Sequence, residues 1–263
     1  MSNQDTTHPG QADLVVSVES RKGGVGKTTA AFCLARLLKS KGYNVLFLDL
    51  DITGTNAAVI AEDYFWEKDA HVLQEGAKDN TNLMDNFMDY FMTGKGVSSL
   101  NFIKGKINIL GSEIYSHSKN DSAHPLVLKN PGILFDSLHS IWLLEFIQKI
   151  IQAFVSSMGT PGKNAVVLDN SPGFVGISPE IHEWLTDWGP DKGKFLMVTS
   201  PDKQDLESCG FAVEHLHDTF KKKWDTSVVF HDMKSDSPKD HFNPKKHDEP
   251  FFFRLATPGN DHK

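Results

Sequence analysis

A glycine-rich segment with two lysines, "RKGGVGKTT" at residues 21–29, restricts the fold of this chain more than any other feature. The apolar, β-rich run "DLVVSVES" (13–20) precedes it, and "TTAAFCLARLLKSKG" (28–42) follows it with apolar residues at helical spacing. The next run, "YNVLFLDLD" (43–51), again has the pattern of a buried strand. A strand, a glycine loop, a helix and a second strand in this order predict a parallel sheet.

The remaining chain continues the alternation of strands and helices. We predict strands at 107–112, 164–173, 194–201, 226–233 and 250–258, and long helices at 137–158 and 203–223. Near-continuous apolar strands separated by helices are typical of an α/β fold with a doubly wound, mostly parallel sheet. We therefore expect a flexible tail at 1–12 and a single domain at 13–263.

Two stretches are less regular than the rest. Residues 56–105 carry many aromatic and charged side chains, and a helix is predicted there around "LMDNFMDYFM". Residues 234–249 are polar and rich in Pro, Lys and His, which predicts an exposed loop.

Composition and charge indicate the location and the kinds of partner to expect for this chain. The formal net charge of -7 over 263 residues argues against constitutive nucleic-acid binding, although a local basic patch stays compatible with it. The two cysteines, Cys33 and Cys209, have no metal-ligand spacing, so we expect a reducing, cytoplasmic location and a core position for Cys33. No apolar run reaches the roughly 20 residues that span a bilayer.

The glycine loop has the chemistry of a phosphate-binding site. Its glycines let backbone N–H groups approach phosphate oxygens, and the positive end of the following helix favours an anion. We expect Lys27 to reach the β- and γ-phosphates, the Thr28 hydroxyl to bind Mg²⁺, and Thr29 to bond to the α-phosphate. The predicted nucleotide-binding residues are Gly23, Gly24, Val25, Gly26, Lys27, Thr28 and Thr29.

The loop departs from the strict Walker pattern, because Arg21 stands where that pattern has its first glycine. What remains, "KGGVGKTT", resembles the deviant Walker A loop of the ParA/MinD group of P-loop ATPases, of the SIMIBI class, and the resemblance extends over about 13–258. It implies an ATP-dependent homodimer in which Lys22 of one subunit contacts the phosphates bound by its partner. Lys22 would then be catalytic together with Lys27 and Asp51.

Acidic residues follow two of the predicted strands. The segment "FLDLD" places Asp49 and Asp51 at a strand end, where ligands bind in open α/β sheets. The resemblance implies that Asp51 positions the attacking water and helps to hold Mg²⁺, whereas a helix cap or turn acid is the structural alternative. For Asp49 we expect a structural or supporting role. The segment after Asp51 is Ile52-Thr53, where the partition branch has Pro-Gln.

The segment "VVLDNSPG" places Asp169 at the Walker B position, where it would hold a magnesium-bound water. The D-x-x-P-G pattern is similar to the switch II loop of the same group, so the Gly173 N–H is expected to sense the γ-phosphate. The resemblance places base contacts at His231 or Asp232 and near Pro258. It also implies one or two further helices after Lys263, so the chain is either a short member or a fragment.

Within the group, the partition branch fits best, because R-K-G-G is similar to its Q-K-G-G and unlike the Gly-first loop of MinD. The cysteines do not fall where the nitrogenase iron protein has its cluster ligands, and the arsenite-pump branch usually doubles the domain. "FFFRLATPGNDHK" at the C-terminus does not provide the membrane helix of MinD.

We therefore expect an ATP- and Mg²⁺-dependent ATPase, with an activating partner protein and nonspecific DNA as its expected partners in partitioning or a related positioning role. DNA would bind basic residues such as "KKKW" (221–224), although interspersed acids favour a solvated surface equally well. Two alternatives stay open. One is a nucleotide-dependent adaptor with little hydrolysis that docks a protein through 56–105, and the other is an ATP-dependent ligase that resembles dethiobiotin synthetase.

Overall fold

The computed structural model describes residues 12–51, 84–86, 97–100, 102, 104–111, 137–159, 163–174, 176–188, 192–220, 226–230 and 252–254. The strands are β1 (Leu14–Glu19), β2 (Asn44–Leu50), β3 (Met84–Asn86), β4 (Ile107–Gly111), β5 (Asn164–Asn170), β6 (Gly193–Thr199), β7 (Thr226–Phe230) and β8 (Phe252–Arg254). The helices are α1 (Lys27–Ser40), α2 (Ser137–Met158), α3 (Ser178–Asp187) and α4 (Lys203–Phe220), with a short 3₁₀ helix at Val97–Ser99.

The eight strands form one sheet in the order β3-β4-β2-β5-β1-β6-β7-β8. Every neighbouring pair runs parallel. β1 and β2 are consecutive in the chain but not neighbours in the sheet, because β5 lies between them. The connection through α1 therefore crosses the position of one strand. The predicted α/β fold with a parallel sheet is confirmed.

Strand order decides where the functional segments meet. The four central strands are β2, β5, β1 and β6, and parallel strands place their carboxyl ends at the same edge of the sheet. The glycine loop follows β1, Asp51 follows β2, Asp169 lies near the end of β5, and Ser200 follows β6. Residues far apart in sequence are therefore neighbours at one edge.

Both faces of the sheet carry apolar cores. On one face, α1 packs Ala31, Phe32 and Ala35 against alternate residues of β1, β2, β4 and β5, and the Phe32 ring stacks on that of Phe47 at 4.3 Å. On the other face, α2 and α3 pack against the intervening residues, with Phe154 fully buried. Two covered faces explain why the central strands are apolar at nearly every position.

One predicted helix is wrong at the residues that the structure describes. Met84–Asn86, within the segment "LMDNFMDYFM", form strand β3, which pairs with Ile109–Gly111 of β4. The apolar spacing suggested a helix, but backbone pairing with the sheet edge overrides that local pattern. Residues 87–92 lie outside the described residues, as does the predicted loop at 234–249.

The core position predicted for Cys33 in α1 is also wrong. Cys33 is exposed rather than in the core, and the Leu37 side chain is 54% exposed. At 3.6 residues per turn these two positions lie on the side away from Ala31 and Ala35, which are fully buried. Ala12, assigned to the tail from sequence, is buried in the core beside β1.

Candidate functional site

The glycine loop leaves open space at the start of α1. Gly24 and Gly26 have φ angles of 79° and 85°, a region that residues with a Cβ rarely adopt. A Cβ added at Gly23 or Gly24 would meet no atom within 4 Å in the part of the chain that the structure describes. Gly26 caps α1 without a side-chain hydrogen bond, and the first turn carries no acidic residue. The first N–H groups of α1 therefore face a space suited to an anion.

Lys27 brings a buried positive charge to this position. It is the first residue of α1, and its side chain is only 6% exposed. Its ammonium donates to Asp169 Oδ1 and lies 4.0 Å from Asp51 Oδ2. The structure thus brings together Lys27, Asp51 and Asp169, which the sequence analysis placed in one site, and a buried ammonium is stabilised by such carboxylates.

Asp169 is the most buried acid of this cluster. Burial raises the pKa of its carboxyl, while the charge and hydrogen bond of Lys27 and a hydrogen bond from the Thr28 hydroxyl oppose the rise. Its second oxygen, Oδ2, is buried and has no hydrogen-bond partner among the described residues. A buried carboxylate oxygen without a donor is well suited to bind a cation.

Asp49 supports the site from the neighbouring strand. It stands opposite Asp169 in the register of β2 and β5, and its Oδ1 accepts a hydrogen bond from the Asp51 backbone N–H at 3.0 Å. Burial, followed by the charge of Asp169, raises the pKa of the Asp49 carboxyl well above its ordinary value. Asp49 therefore fixes the backbone of Asp51, which agrees with the supporting role expected for it.

The residues present fit Mg²⁺. Thr28, Asp51 and Asp169 offer a hydroxyl and two carboxylates around Lys27. Among the described residues no group of three or more His, Cys, Asp or Glu could hold a metal ion by itself. A nucleotide-bound Mg²⁺ takes only one or two carboxylates from the protein, because water and phosphate oxygens complete its shell.

Lys22 has a different environment from Lys27. Its side chain is 66% exposed, and its ammonium donates to Asp205 Oδ1 at 3.2 Å in the first turn of α4. Asp205 Oδ2 accepts from the Ser200 hydroxyl at 2.5 Å. The Ser200 hydrogen bond, and then Lys22, lower the pKa of the Asp205 carboxyl. Within one chain, Lys22 is thus paired with α4.

The remaining predicted residues line the same loop or the one opposite. Val25 is buried in the core against α1, and Thr29 is half-buried in its first turn. The Gly173 N–H donates to the Ser20 carbonyl at 2.7 Å, so the loop after β5 is bonded to the base of the glycine loop. Contact between Gly173 and a phosphate would require this bond to open.

Most of the chain matches a known protein family. The model of the CobQ/CobB/MinD/ParA nucleotide binding domain matches residues 16–241. The chain belongs to this family. The match begins in β1 and includes the glycine loop, Asp51, Asp169 and α4, so the whole site described above lies within the family domain.

Solved structures of the family fold extend the comparison. A plasmid partition protein of Borrelia burgdorferi bound to AMPPNP is 16% identical, with a TM-score of 0.53 over 88% of this chain and 80% of that one. A second plasmid partition protein structure from Borrelia burgdorferi gives a TM-score of 0.54 at 16% identity, over 88% of this chain and 83% of the other. At this identity the likeness concerns the fold.

Closer sequence identity is confined to short segments. An iron-sulfur cluster carrier protein of Clostridium perfringens is 52% identical over 48 residues, which are 18% of this chain and 17% of that protein. An uncharacterised protein of Methanocaldococcus jannaschii is 53% identical over 38 residues, which are 14% and 15% of the two chains. The chain thus covers less than a fifth of the length of these curated relatives.

Several contacts of the site were not predicted from sequence. They involve Glu19, Asn170, His182, Ser200 and Asp205, all of them buried or partly buried polar residues at the same sheet edge. The only local signal was a charged residue, Glu19, at the end of an apolar strand. The predicted base contacts His231, Asp232 and Pro258 and the basic segment 221–224 lie outside the described residues. No helix in the described part of the chain is long and apolar enough to cross a membrane.

Proposed function

We propose that this chain is a Mg²⁺-dependent ATPase that works as a dimerising nucleotide switch, in plasmid or chromosome partitioning or a related positioning role. One observation carries the proposal. Lys27, at the amino end of α1 beside an open glycine loop, is held between Asp51 and Asp169. Membership of a nucleotide-binding family and the fold shared with a partition protein bound to AMPPNP support it.

ATP would bind with its phosphates at the start of α1. Backbone N–H groups of Gly23, Gly24 and Gly26 would surround the phosphates, and Lys27 would turn from Asp169 to the β- and γ-oxygens. The first turn of α1 contains no acidic residue that would repel them. Thr29 would contact the α-phosphate.

Thr28, Asp51 and Asp169 would hold Mg²⁺ beside the phosphates, Asp169 through a bound water. When bound, the ion supplies positive charge that neutralises the phosphate oxygens. Asp169 Oδ2, which is buried and has no donor among the described residues, favours a cation there.

Hydrolysis would depend on two residues at the edges of this cluster. Asp51 would orient the attacking water, with its backbone held by Asp49. Lys22 of the partner subunit would stabilise charge on the transferring phosphoryl group, much as an arginine finger does. For this, Lys22 must leave Asp205, and an ion pair whose lysine is mostly exposed to solvent costs about 1 kcal/mol to break.

Nucleotide titration and phosphate release test the enzymatic part. The wild type should bind ATP and hydrolyse it only with Mg²⁺. Lys27→Ala should weaken ATP binding by about 10- to 100-fold, because a charge-assisted bond contributes roughly 1.5–3 kcal/mol. Lys41→Ala, an exposed lysine just beyond α1, is the matched control and should bind ATP normally.

Two results would contradict the proposed activity. One is a wild type that does not bind ATP, and the other is a Lys27→Ala variant that binds it as tightly as the wild type. Tight binding with negligible hydrolysis, even with Asp51 intact, would instead favour the adaptor function. DNA binding and a partner protein belong to the proposal as well, and ATP-dependent DNA binding should weaken steeply with salt.

A further inference from the structure

A buried carboxylate outside the nucleotide site stands just before the glycine loop. Glu19 is the last residue of β1, and it is fully buried. Its Oε1 accepts hydrogen bonds from Ser17 Oγ at 2.8 Å, Asn170 Nδ2 at 2.8 Å and His182 Nε2 at 3.1 Å, and its Oε2 accepts one from Ser178 Oγ at 3.0 Å. Four donors on one carboxylate make a strongly held group.

Three of these donors flank the loop that follows β5. Asn170 is the last residue of β5, whereas Ser178 and His182 lie in the first two turns of α3. Glu19 therefore ties both ends of the loop to β1. Its middle is bonded separately, through the Gly173 N–H to the Ser20 carbonyl. Any movement must then concentrate between these anchors, where Gly173 and Gly176 have φ angles of 88° and 68°.

Phe174 connects the middle of this loop to His182. It adopts a φ of 56°, a left-handed conformation that is unfavourable for a residue with a side chain. Its ring meets the His182 ring edge-on at 5.2 Å, and the Arg21 guanidinium lies 5.7 Å from its centroid. The His182 ring also packs edge-on against Phe195 at 4.6 Å. The strained residue is thus held between the glycine loop and α3.

We propose that His182 is a positioning residue that couples this loop to α3, through its hydrogen bond to Glu19 and its ring contact with Phe174. The proposal rests on the nucleotide binding proposed above. When a γ-phosphate draws the Gly173 N–H away from Ser20, Phe174 must move, and the ring against it belongs to α3. α3 is then the element that differs between the ADP- and ATP-bound protein.

Two substitutions of His182 separate coupling from packing. In His182→Gln the flat side-chain amide takes the place of the ring against Phe174, and its nitrogen takes the place of Nε2 and still donates to Glu19, whereas His182→Leu keeps apolar bulk without a donor. Amide hydrogen exchange of α3 is measured with ADP and with a nonhydrolysable ATP analogue, both with Mg²⁺. Turnover and ADP affinity are measured in parallel.

We expect α3 exchange to differ between the two nucleotides in the wild type and in His182→Gln, and to be equal in His182→Leu. Turnover of the Leu variant should fall about 10- to 100-fold, as expected when a catalytic loop is misplaced. Its ADP affinity should change by less than about twofold, because the contacts of His182 that carry the coupling go to Glu19 and Phe174, not to the groups that would hold the diphosphate.

A substitution at a second position, Phe174, keeps the test valid if the His182→Leu variant does not fold. Phe174→Gly removes the ring contact, suits the left-handed backbone and leaves Glu19 fully bonded, so it should also abolish the α3 difference. The proposal would be overturned if His182→Leu and Phe174→Gly showed the same difference in α3 exchange between the two nucleotides as the wild type. It would also be overturned by a wild type that binds both nucleotides without any difference in α3 exchange. A wild type that binds neither nucleotide would overturn the proposed function itself, and the coupling with it.

Discussion

The two lysines of the glycine loop stand in opposite environments although only five positions separate them. The Lys27 side chain is 6% exposed among carboxylates, whereas that of Lys22 is 66% exposed and paired with Asp205. A buried lysine is fixed by its surroundings, but an exposed one is released at little cost. This difference suits a lysine that serves its own nucleotide and a second one that is available to another subunit.

Asp205→Asn tests the pairing of Lys22 at this scale. The hydrogen bond from Ser200 and the charge of Lys22 lower the pKa of Asp205 in the folded state. Ionised Asp205 therefore stabilises the folded state at a pH above its ordinary, unfolded-state pKa of about 3.8. The variant should be about 0.5–1 kcal/mol less stable near neutral pH, a small effect because Lys22 is well solvated.

The stability difference should shrink as the pH falls through the lowered pKa of Asp205. Urea unfolding of both proteins between about pH 7 and pH 3 measures it. A constant difference across this range would mean that the carboxylate charge is not responsible. Lys41→Ala, which changes an exposed lysine just beyond α1 and leaves Asp205 and Lys22 intact, is the control without this pH dependence.

Site residues that lie close together in the sequence could be predicted from it, whereas contacts between distant positions could not. Lys22, Lys27 and the glycines form a local pattern whose spacing predicts their chemistry. The Glu19–His182 contact joins positions 163 residues apart, and no spacing rule indicates it. Only the fold, which brings β1 beside β5 and β6, reveals that pair.

Substitutions at two adjacent glycines of the loop distinguish the effect of backbone strain on stability from the effect of lost space on ligand binding. Gly24 has a φ of 79°, whereas Gly23 shows no such angle, and a Cβ at either meets no atom of the described residues within 4 Å. Gly24→Ala should lower the free energy of unfolding by about 1–2 kcal/mol. Gly23→Ala should leave it within about 0.5 kcal/mol of the wild type.

Both variants should nevertheless bind ATP more weakly if the space beside the loop receives phosphates. Urea unfolding and ATP titration of the two variants measure the two effects independently. Normal ATP binding by Gly23→Ala would contradict the placement of the phosphates beside that residue.

The elements themselves were largely predictable. Apolar runs predicted every strand of the described sheet except β3, and the boundaries of α2 agree with the predicted 137–158. β3 was missed because a three-residue edge strand is decided by its pairing with β4, and its own sequence has a helical spacing. The exposed face of α1 was misjudged because Leu and Cys lie on it.

At the scale of the whole molecule, a single sheet edge gathers every group that the account uses. β2, β5, β1 and β6 are successive neighbours. At or just beyond their carboxyl ends, Asp51 and Asp169 contact Lys27, Ser20 accepts from the Gly173 N–H, and Ser200 donates to Asp205, the partner of Lys22. Lys22 lies at this edge with its side chain in solvent. A second subunit facing the same edge would therefore be able to contact Lys22.

Light scattering with ATP and Mg²⁺ tests the central claim, a nucleotide-dependent dimer that uses Lys22 in trans. The comparison includes the wild type, Lys22→Ala, Asp51→Ala, Asp205→Asn and the control Lys41→Ala. We expect the wild type and Lys41→Ala to dimerise with ATP, and Asp51→Ala to form a longer-lived dimer because hydrolysis is blocked. Asp205→Asn, whose Lys22 is no longer paired with a charge, should dimerise at least as readily.

Lys22→Ala should fail to dimerise or should dimerise without hydrolysing ATP, and the result with Asp205→Asn shows that the loss is not due to the broken Lys22–Asp205 pair. The opposite outcome is a wild type that binds ATP but stays monomeric while Lys22→Ala hydrolyses normally. That result would contradict the role of Lys22 in trans, and with it the dimerising switch.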